Sequence, residues 1–320
     1  MLFRSKAVPE GEQQVIEKDF KVTWQYVGHI LGATFIEIEA DGKTIVFSGD
    51  IGREKDLLLY PPKKPKKADV LLIETTYGGK QHPDEKDLLP DMQSIVRRIV
   101  GRGGSLLIPS FSVGRSQLVM LILSRLLHAN RIPEVPMLVD SPMGADVLKI
   151  YEHAKKWHRL QPNEFREMCS DFTMIKGFGE TMKWRANTKP KIIIAGSGMM
   201  TGGRILSYME TNAENKYSSL LFVGFQAEGT RGRKLLDGEK VVKISGKKIP
   251  VKMQIETLEG LSAHADQHEL LNWLSDLEEK PEQIFLIHGE MDQSEIFQQK
   301  LLEKKGWDSQ IPTLNESVDI

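Results

Sequence analysis

Six short runs in this chain are apolar at nearly every residue: VLLIE (70–74), SLLIPS (105–110), VPMLVD (135–140), KIIIAGS (191–197), SLLFVGF (219–225) and QIFLIHG (283–289). Runs this short, bounded by glycine, proline and polar turns, read as strands buried on both faces, and such strands need helices on either side. Helical periodicity fills the gaps, at LLPDMQSIVRRIV within 84–100, SQLVMLILSRLLHA (116–129) and GADVLKIYEHAKKW (144–157). The rhythm implies βαβ units on a mostly parallel sheet, an α/β fold. Two regions depart from it. Near the N-terminus FKVTWQYV and the alternating ATFIEIEA and KTIVFSG, joined at Asp41-Gly42, read as antiparallel strands with a hairpin turn. In the last third, VKMQIETL reads as a strand and DQHELLNWLSDL as a helix.

Composition narrows the functional classes. Of 320 residues, 43 are basic and 44 acidic, so the net charge of -1 excludes a global polyanion-binding field. Any nucleic-acid site is a local groove. One cysteine, Cys169, permits no internal disulfide and no thiolate metal cage, and reads as a small packing residue of a cytoplasmic protein. No apolar run reaches the ~20 residues of a membrane span.

Chemistry in an α/β sheet collects beyond the carboxyl ends of the strands. Here those positions carry GHILGA, GDIGR, ETTYGG, SFSVGRSQ, SPMG, GSGMMTGGR, FQAEGTRGR, LSAHAD and HGE. Histidines, carboxylates, arginines and glycine-rich turns recur at one topological place, which argues for a composite site. His29, Asp50 and His288 have metal-ligand chemistry, with Asp50 a carboxylate able to bridge two ions. Glu74 and His264 read as a carboxylate–imidazole pair that fixes one tautomer. GSGMMTGG and EGTRGR offer backbone N–H groups and arginines (Arg204, Arg231, Arg233) suited to phosphate. Metal with a phosphate grip points to metal-assisted phosphoester hydrolysis. Other histidines carry less. His268 is expected to face solvent, and His82, His128, His153 and His158 read as surface positions. The KKPKK run (63–67) reads as a solvated loop.

In the order and wording of these motifs the sequence resembles the metallo-β-lactamase-fold, β-CASP group of RNA-processing nucleases. GHILGA with His29 and FSGDIGR with Asp50 resemble two of that family's metal motifs. ETTYG with Glu74, LSAHAD with His264 and LIHGE with His288 resemble its motifs A, B and C. IPSFSVGRSQ, DSPM, SGMMTGGR and GFQAEGTRGR are similar to its inserted β-CASP domain. The resemblance implies a metallo-β-lactamase domain at 1–76, a β-CASP domain at 77–247 and a returning lactamase segment at 248–320. It also implies zinc held by His29, Asp50 and His288, with His264, Glu74 and Asp50 serving catalysis. Ser110, Arg115, Ser197, Gly198, Thr201, Gly202, Gly203 and Arg231 would follow the backbone of single-stranded RNA.

The family's leading His-x-His-x-Asp-His cluster belongs upstream of GHILGA, and no such spacing occurs among the eight histidines. The resemblance therefore implies an N-terminally truncated lactamase αββα sandwich with at most partial zinc occupancy, where an intact member holds two ions. The expectations that follow are an exposed apolar sheet face, weak or no activity alone, completion by another chain, a second gene product or a longer native sequence, and a homodimer. The alternative is a non-catalytic RNA-binding or scaffold subunit.

Overall fold

The computed structural model describes residues 7–82 and 88–319. The expected helix start at 84–87 and the opening residues 1–6 lie outside the described residues. In chain order the strands are β1 (Gln14–Glu17), β2 (Phe20–Tyr26), β3 (Thr34–Ala40), β4 (Lys43–Phe47) and β5 (Val70–Glu74). Then come α1 (Leu88–Gly101), β6 (Leu106–Pro109), α2 (Arg115–His128), β7 (Met137–Asp140), α3 (Pro142–His153), α4 (Pro162–Ser170), β8 (Phe172–Met174) and α5 (Phe178–Ala186). The series continues with β9 (Ile192–Ala195), α6 (Ile205–Asn212), β10 (Ser219–Phe222), α7 (Arg231–Leu236), β11 (Val241–Ile244), β12 (Lys247–Pro250) and β13 (Gln254–Thr257). It closes with α8 (Gln267–Trp273), β14 (Gln283–Ile287) and α9 (Met291–Lys305). No helix among the described residues is long and apolar enough to cross a membrane.

The chain divides into two compact units, residues 1–82 with 263–320, and residues 83–262. The first holds a six-stranded sheet in the order β1-β2-β3-β4-β5-β14. It is antiparallel from β1 to β4, as the alternating sequence there requires, and parallel from β4 through β5 to β14. Because side chains alternate across a strand, one face presents Phe35, Val46, Leu71, Ile73, Ile284 and Leu286, which pack with Trp273 of α8 and Phe297 of α9. The opposite face carries a cross-strand row in register, Trp24↔Ile36↔Phe47↔Leu72↔Phe285. In that row Trp24, Ile36, Phe47 and Leu72 are only half-buried.

The second unit is the parallel sheet foreseen from the apolar runs, six strands in the order β13-β10-β6-β9-β7-β8. β6, β7, β9 and β10 are buried at every residue. On one side α6 and the β11–β12 hairpin seal a core of Leu107, Ile193, Phe222, Tyr208 and Val242. α2 is buried almost throughout, from Ser116 to Ser124, which matches its unbroken apolar character. β13 hydrogen bonds in parallel to β10, Ser219↔Gln254 through Phe222↔Thr257. A strand expected in the returning segment thus completes the sheet of the second unit, and the compact units meet at 262/263. His158 is not a surface residue. It is 3% exposed, its Nε2–H donates to Tyr151 O, and its Nδ1 accepts from Leu160 N.

Candidate metal centre and phosphate crevice

The centre of the first unit lies where three motifs meet. Gly52 N donates to Val27 O at 2.8 Å, Ala265 N donates to Ile51 O at 2.7 Å, and Gly52 bridges to His264. A Cβ at Gly52 would sit 2.1 Å from Gly28 O and 2.6 Å from His29 N, so only glycine lets these turns approach so closely. The glycines of GHILG and SGDIG therefore hold His29 and Asp50 side by side. The next strand is tied in by Ser48, whose hydroxyl accepts from Glu74 N at 3.0 Å. β14 then lies in register with β5, pairing Ile287 with Glu74, and Thr75 N donates to Ile287 O at 2.9 Å. His288 follows in a left-handed conformation, φ 52, with its carbonyl accepting from Thr76 Oγ1 at 3.0 Å.

Asp50 stands between two imidazoles. Its Oδ2 lies 3.7 Å from His29 Nε2 and its Oδ1 lies 3.4 Å from His288 Nδ1. His264 lies beside both rings, tilted against His29 at 4.3 Å and stacked on His288 at 5.8 Å between centroids. One ligand atom from each of His29, Asp50 and His264 falls within 4.8 Å of the others, and the same holds for Glu74, His264 and His288. This donor set, imidazoles around a two-faced carboxylate, fits zinc.

Glu74 is buried completely and is acceptor-rich. Its Oε1 accepts from Ile51 N at 2.6 Å, its Oε2 accepts from Thr76 N at 3.2 Å, and both oxygens face His264 Nδ1 at 3.0 and 3.1 Å. Burial pushes the carboxyl upward, but the adjacent His264 and the hydrogen bonds from His264, Thr76 and Ile51 outweigh it and hold the carboxyl below its ordinary value. An ionised carboxylate only accepts, so Nδ1 of His264 carries the proton.

Sequence reasoning missed His82. Its ring packs 4.9 Å from Tyr77, its backbone N donates to Asp266 Oδ2 at 2.9 Å, and its Nε2 lies 3.0 Å from His264 O. A carbonyl cannot donate, so Nε2–H of His82 anchors the His264 turn from below. The downstream helix is fixed as well. Asp266 and Glu269 form a capping box, and Arg53 pairs with Glu269 at 3.0 Å with both side chains buried.

In the second unit Ser110 and Ser197 flank the crevice between the adjacent carboxyl ends of β6 and β9. Their onward connections run to opposite sides of the sheet, the topological switch point at which such folds bind ligands. A cavity of about 430 Å³ there is lined by Ser110, Ser112, Ser141, Ser197, Asp140 and Arg204 among others. Ser197 Oγ closes the glycine loop, accepting from Gly202 N at 3.2 Å, with the Thr201 hydroxyl 3.2 Å away. Gly198 leaves room for Phe111, whose ring a Cβ would meet at 2.8 Å, and Gly203 (φ 77) lies against Gly196 O.

The arginines do something other than the expected grip. Arg204 donates to Asp140 Oδ1 at 2.6 Å and to Lys176 O at 2.9 Å, while Tyr208 OH bonds the other Asp140 oxygen at 2.7 Å. Arg231 donates to Met200 O and Lys243 O, Arg115 to Val223 O, and Arg233 pairs with Asp237. Arg204, Arg231 and Arg115 hold the loops themselves, and Arg233 braces the end of α7.

The fold is α/β, and the first unit gathers imidazoles and carboxylates that could hold a metal ion. Residues 116–235 match the family described as Beta-Casp domain, and residues 248–312 match that described as Zn-dependent metallo-hydrolase RNA specificity domain. Ribonuclease TTHA0252 of Thermus thermophilus is 32% identical over 92% of this chain and 68% of its own length. The RNase J-like protein of Methanocaldococcus jannaschii is 32% identical over 89% of this chain and 68% of its own. Transcription termination factor FttA of Methanosarcina mazei is 32% identical over 86% of this chain, which spans 46% of that relative. The chain belongs to the β-CASP metallo-β-lactamase family of RNA-processing nucleases.

Proposed function

We propose that the first unit carries the catalytic face of a zinc-dependent RNA phosphodiester hydrolase. The observation that carries this reading is Asp50, whose two oxygens face different imidazoles. His29, Asp50 and His288 would hold the metal. Zinc, when bound, supplies Lewis-acid charge to a phosphoryl group and acidifies a water. Glu74 keeps the proton of His264 on Nδ1, so Nε2 would be the nitrogen that exchanges a proton with a phosphate oxygen or a leaving hydroxyl. In the second unit, Ser110, Ser197, Thr201 and the backbone of Gly198, Gly202 and Gly203 would receive phosphates of single-stranded RNA. Arg115 and Arg231 would contribute by holding those loops in shape.

We read residues 7–82 with 263–319 as the lactamase portion and 83–262 as the β-CASP portion. The half-buried row Trp24, Ile36, Phe47 and Leu72 supports a sheet that pairs face to face with a second layer, as half of a sandwich does. That layer would be supplied by further residues, of this protein or of a partner. His29, Asp50 and His288 would by themselves hold one ion. A second reading, carried by the serine-lined crevice alone, is an RNA-binding subunit without cleavage.

Zinc titration followed by mass spectrometry of the native chain tests the proposal. The expected result is at most one zinc per chain, lost on Asp50→Asn. No bound zinc, or zinc indifferent to Asp50→Asn, overturns it. Labelled single-stranded RNA that binds without being cut, by a zinc-loaded chain, selects the second reading.

A further inference from the structure

A second groove lies at the far end of α3 from the serine-lined crevice. It encloses about 540 Å³ between Lys149, Ile150, His153, Ala154, Lys156 and Trp157. Its walls are apolar and its rim is cationic. Ile150 is 58% exposed, and Lys156 Nζ sits 5.2 Å from the centre of the Trp157 ring. Lys155 and Arg159, both exposed, flank its lining residues Lys156 and Trp157 in the sequence. Lys149 pairs with Asp146 at 2.9 Å, and between 150 and 159 Lys155, Lys156 and Arg159 stand against one acid, Glu152, in a chain whose overall charge is -1. Cations at a helix C-terminus complement its dipole, which accounts for Lys155 and Lys156 alone. It does not account for an indole and an exposed isoleucine walling an apolar groove beneath them.

From these observations we infer that this groove is a second RNA-binding site, in which a base stacks on Trp157 while Lys155, Lys156 and Arg159 take the flanking phosphates. An aromatic platform ringed by cations is the recognition chemistry of single strands without sequence preference. The inference rests on the RNA-hydrolase reading for its choice of ligand. The geometry sets the length of the strand. Met143 lines the crevice at the start of α3, and Ala154 lines the groove just beyond its end. Eleven residues of helix separate them, about 16 Å at 1.5 Å per residue. A strand stacked at about 3.4 Å per nucleotide spans that distance in about five nucleotides. Met143, 61% exposed, lies seven residues before Ile150 on the same helical face and marks the route between them.

The test uses the full chain with 4-thiouridine-containing oligouridylates of 4 and 12 nucleotides, in binding titrations and in photocross-linking with peptide mapping. The 12-mer is expected to cross-link within 149–159, and Trp157→Ala to weaken its binding about tenfold. That factor corresponds to 1.4 kcal/mol, within the range for one stacked base. The tetramer should be unaffected and Trp157→Phe should retain most of the affinity. Lys155→Glu with Lys156→Glu should lower the salt dependence by about two contacts. Melting temperatures equal to wild type show that the variants are folded. If the 12-mer binds every variant equally and cross-links only around 110–115 and 197–204, the second site is refuted while the hydrolase reading stands. If neither oligomer binds the native chain, the hydrolase reading fails and the inference with it. Trp157-dependent self-association without any effect on RNA overturns the RNA assignment in favour of a protein contact.

Discussion

Replacing Glu74 with glutamine changes one oxygen for an amide nitrogen at a site with no exposure, so its effect can be worked from the bonds. In the wild type the carboxylate accepts from Ile51 N, Thr76 N and His264 Nδ1. Glutamine keeps one acceptor, which the short bond from Ile51 N would retain. Its NH₂ group must then face Thr76 N–H, donor against donor. A charge-assisted bond falls from about 1.5–3 to about 1 kcal/mol, and one unsatisfied N–H costs about 1–3 kcal/mol. The expected loss is about 2–4 kcal/mol in the first unit. Hydrogen exchange at the Ile51 and Thr76 amides reports it without assuming that two units unfold together. At 1.36 kcal/mol per decade, exchange should quicken about 30-fold or more. The pH dependence gives a second check. The folded carboxyl of Glu74 is held below its ordinary value. Its contribution is therefore present in full above the ordinary carboxylate range and is lost as pH falls through the folded value. The gap between wild type and Glu74→Gln should close in acid. Unchanged exchange at neutral pH, or a gap that widens in acid, would refute the reasoning.

Three further outcomes are expected. Gly52→Ala forces its Cβ against the Gly28 carbonyl and should destabilise the first unit by about 1–3 kcal/mol. It should also weaken zinc binding by separating His29 from Asp50, read by competition with a chelating dye; wild-type affinity would remove the argument for the stacked glycine turns. His82→Ala removes a donor from the His264 carbonyl and should cost about 1 kcal/mol. His82→Gln, which can still donate, should recover most of it, with the His264 ring resonances in NMR returning toward their native positions. Arg204→Ala strands the fully buried carboxylate of Asp140 and should lower the stability of the second unit by about 3–5 kcal/mol, seen in thermal melts. Relief by a second change, Asp140→Asn, identifies the ion pair as the cause, whereas an unaltered melt would return Arg204 to the role of a phosphate ligand.

Much of the architecture was legible because it depends on patterns with a fixed period. Strands buried on both faces leave unbroken apolar runs, and β6, β7, β9 and β10 stand where those runs lie. The β3–β4 hairpin followed from alternation and Asp41-Gly42, both of whose residues take positive φ. The candidate site was legible as a set of positions because strand ends share a topological address. Its geometry was not. Pairing of Glu74 with His264 was readable from residue type, but the Gly52 contact that aligns three motifs depends on a missing Cβ. The arginines misled for a physical reason. Glycine-rich loops expose carbonyls as freely as N–H groups, and Arg231 is used on Met200 O and Lys243 O. His82 and His158 have no spacing signature, since each finds its partner through a ring nitrogen and a carbonyl. β8, β11 and β12 were invisible because a strand of three or four residues with mixed polarity carries no period.

The register of β14 on β5 bears on the order in which the molecule is made. His29, Asp50 and Glu74 leave the ribosome before the inserted unit, and His264 and His288 follow only after all of it. A nascent chain therefore carries one half of the candidate centre through the synthesis of the whole insert. Closing so long a loop costs only logarithmically more than closing a short one, so delay adds little to the final energy. Its effect is on timing. The ligands cannot converge until the whole inserted unit and β14 have been made, so the growing chain is without its candidate metal centre throughout the synthesis of the insert.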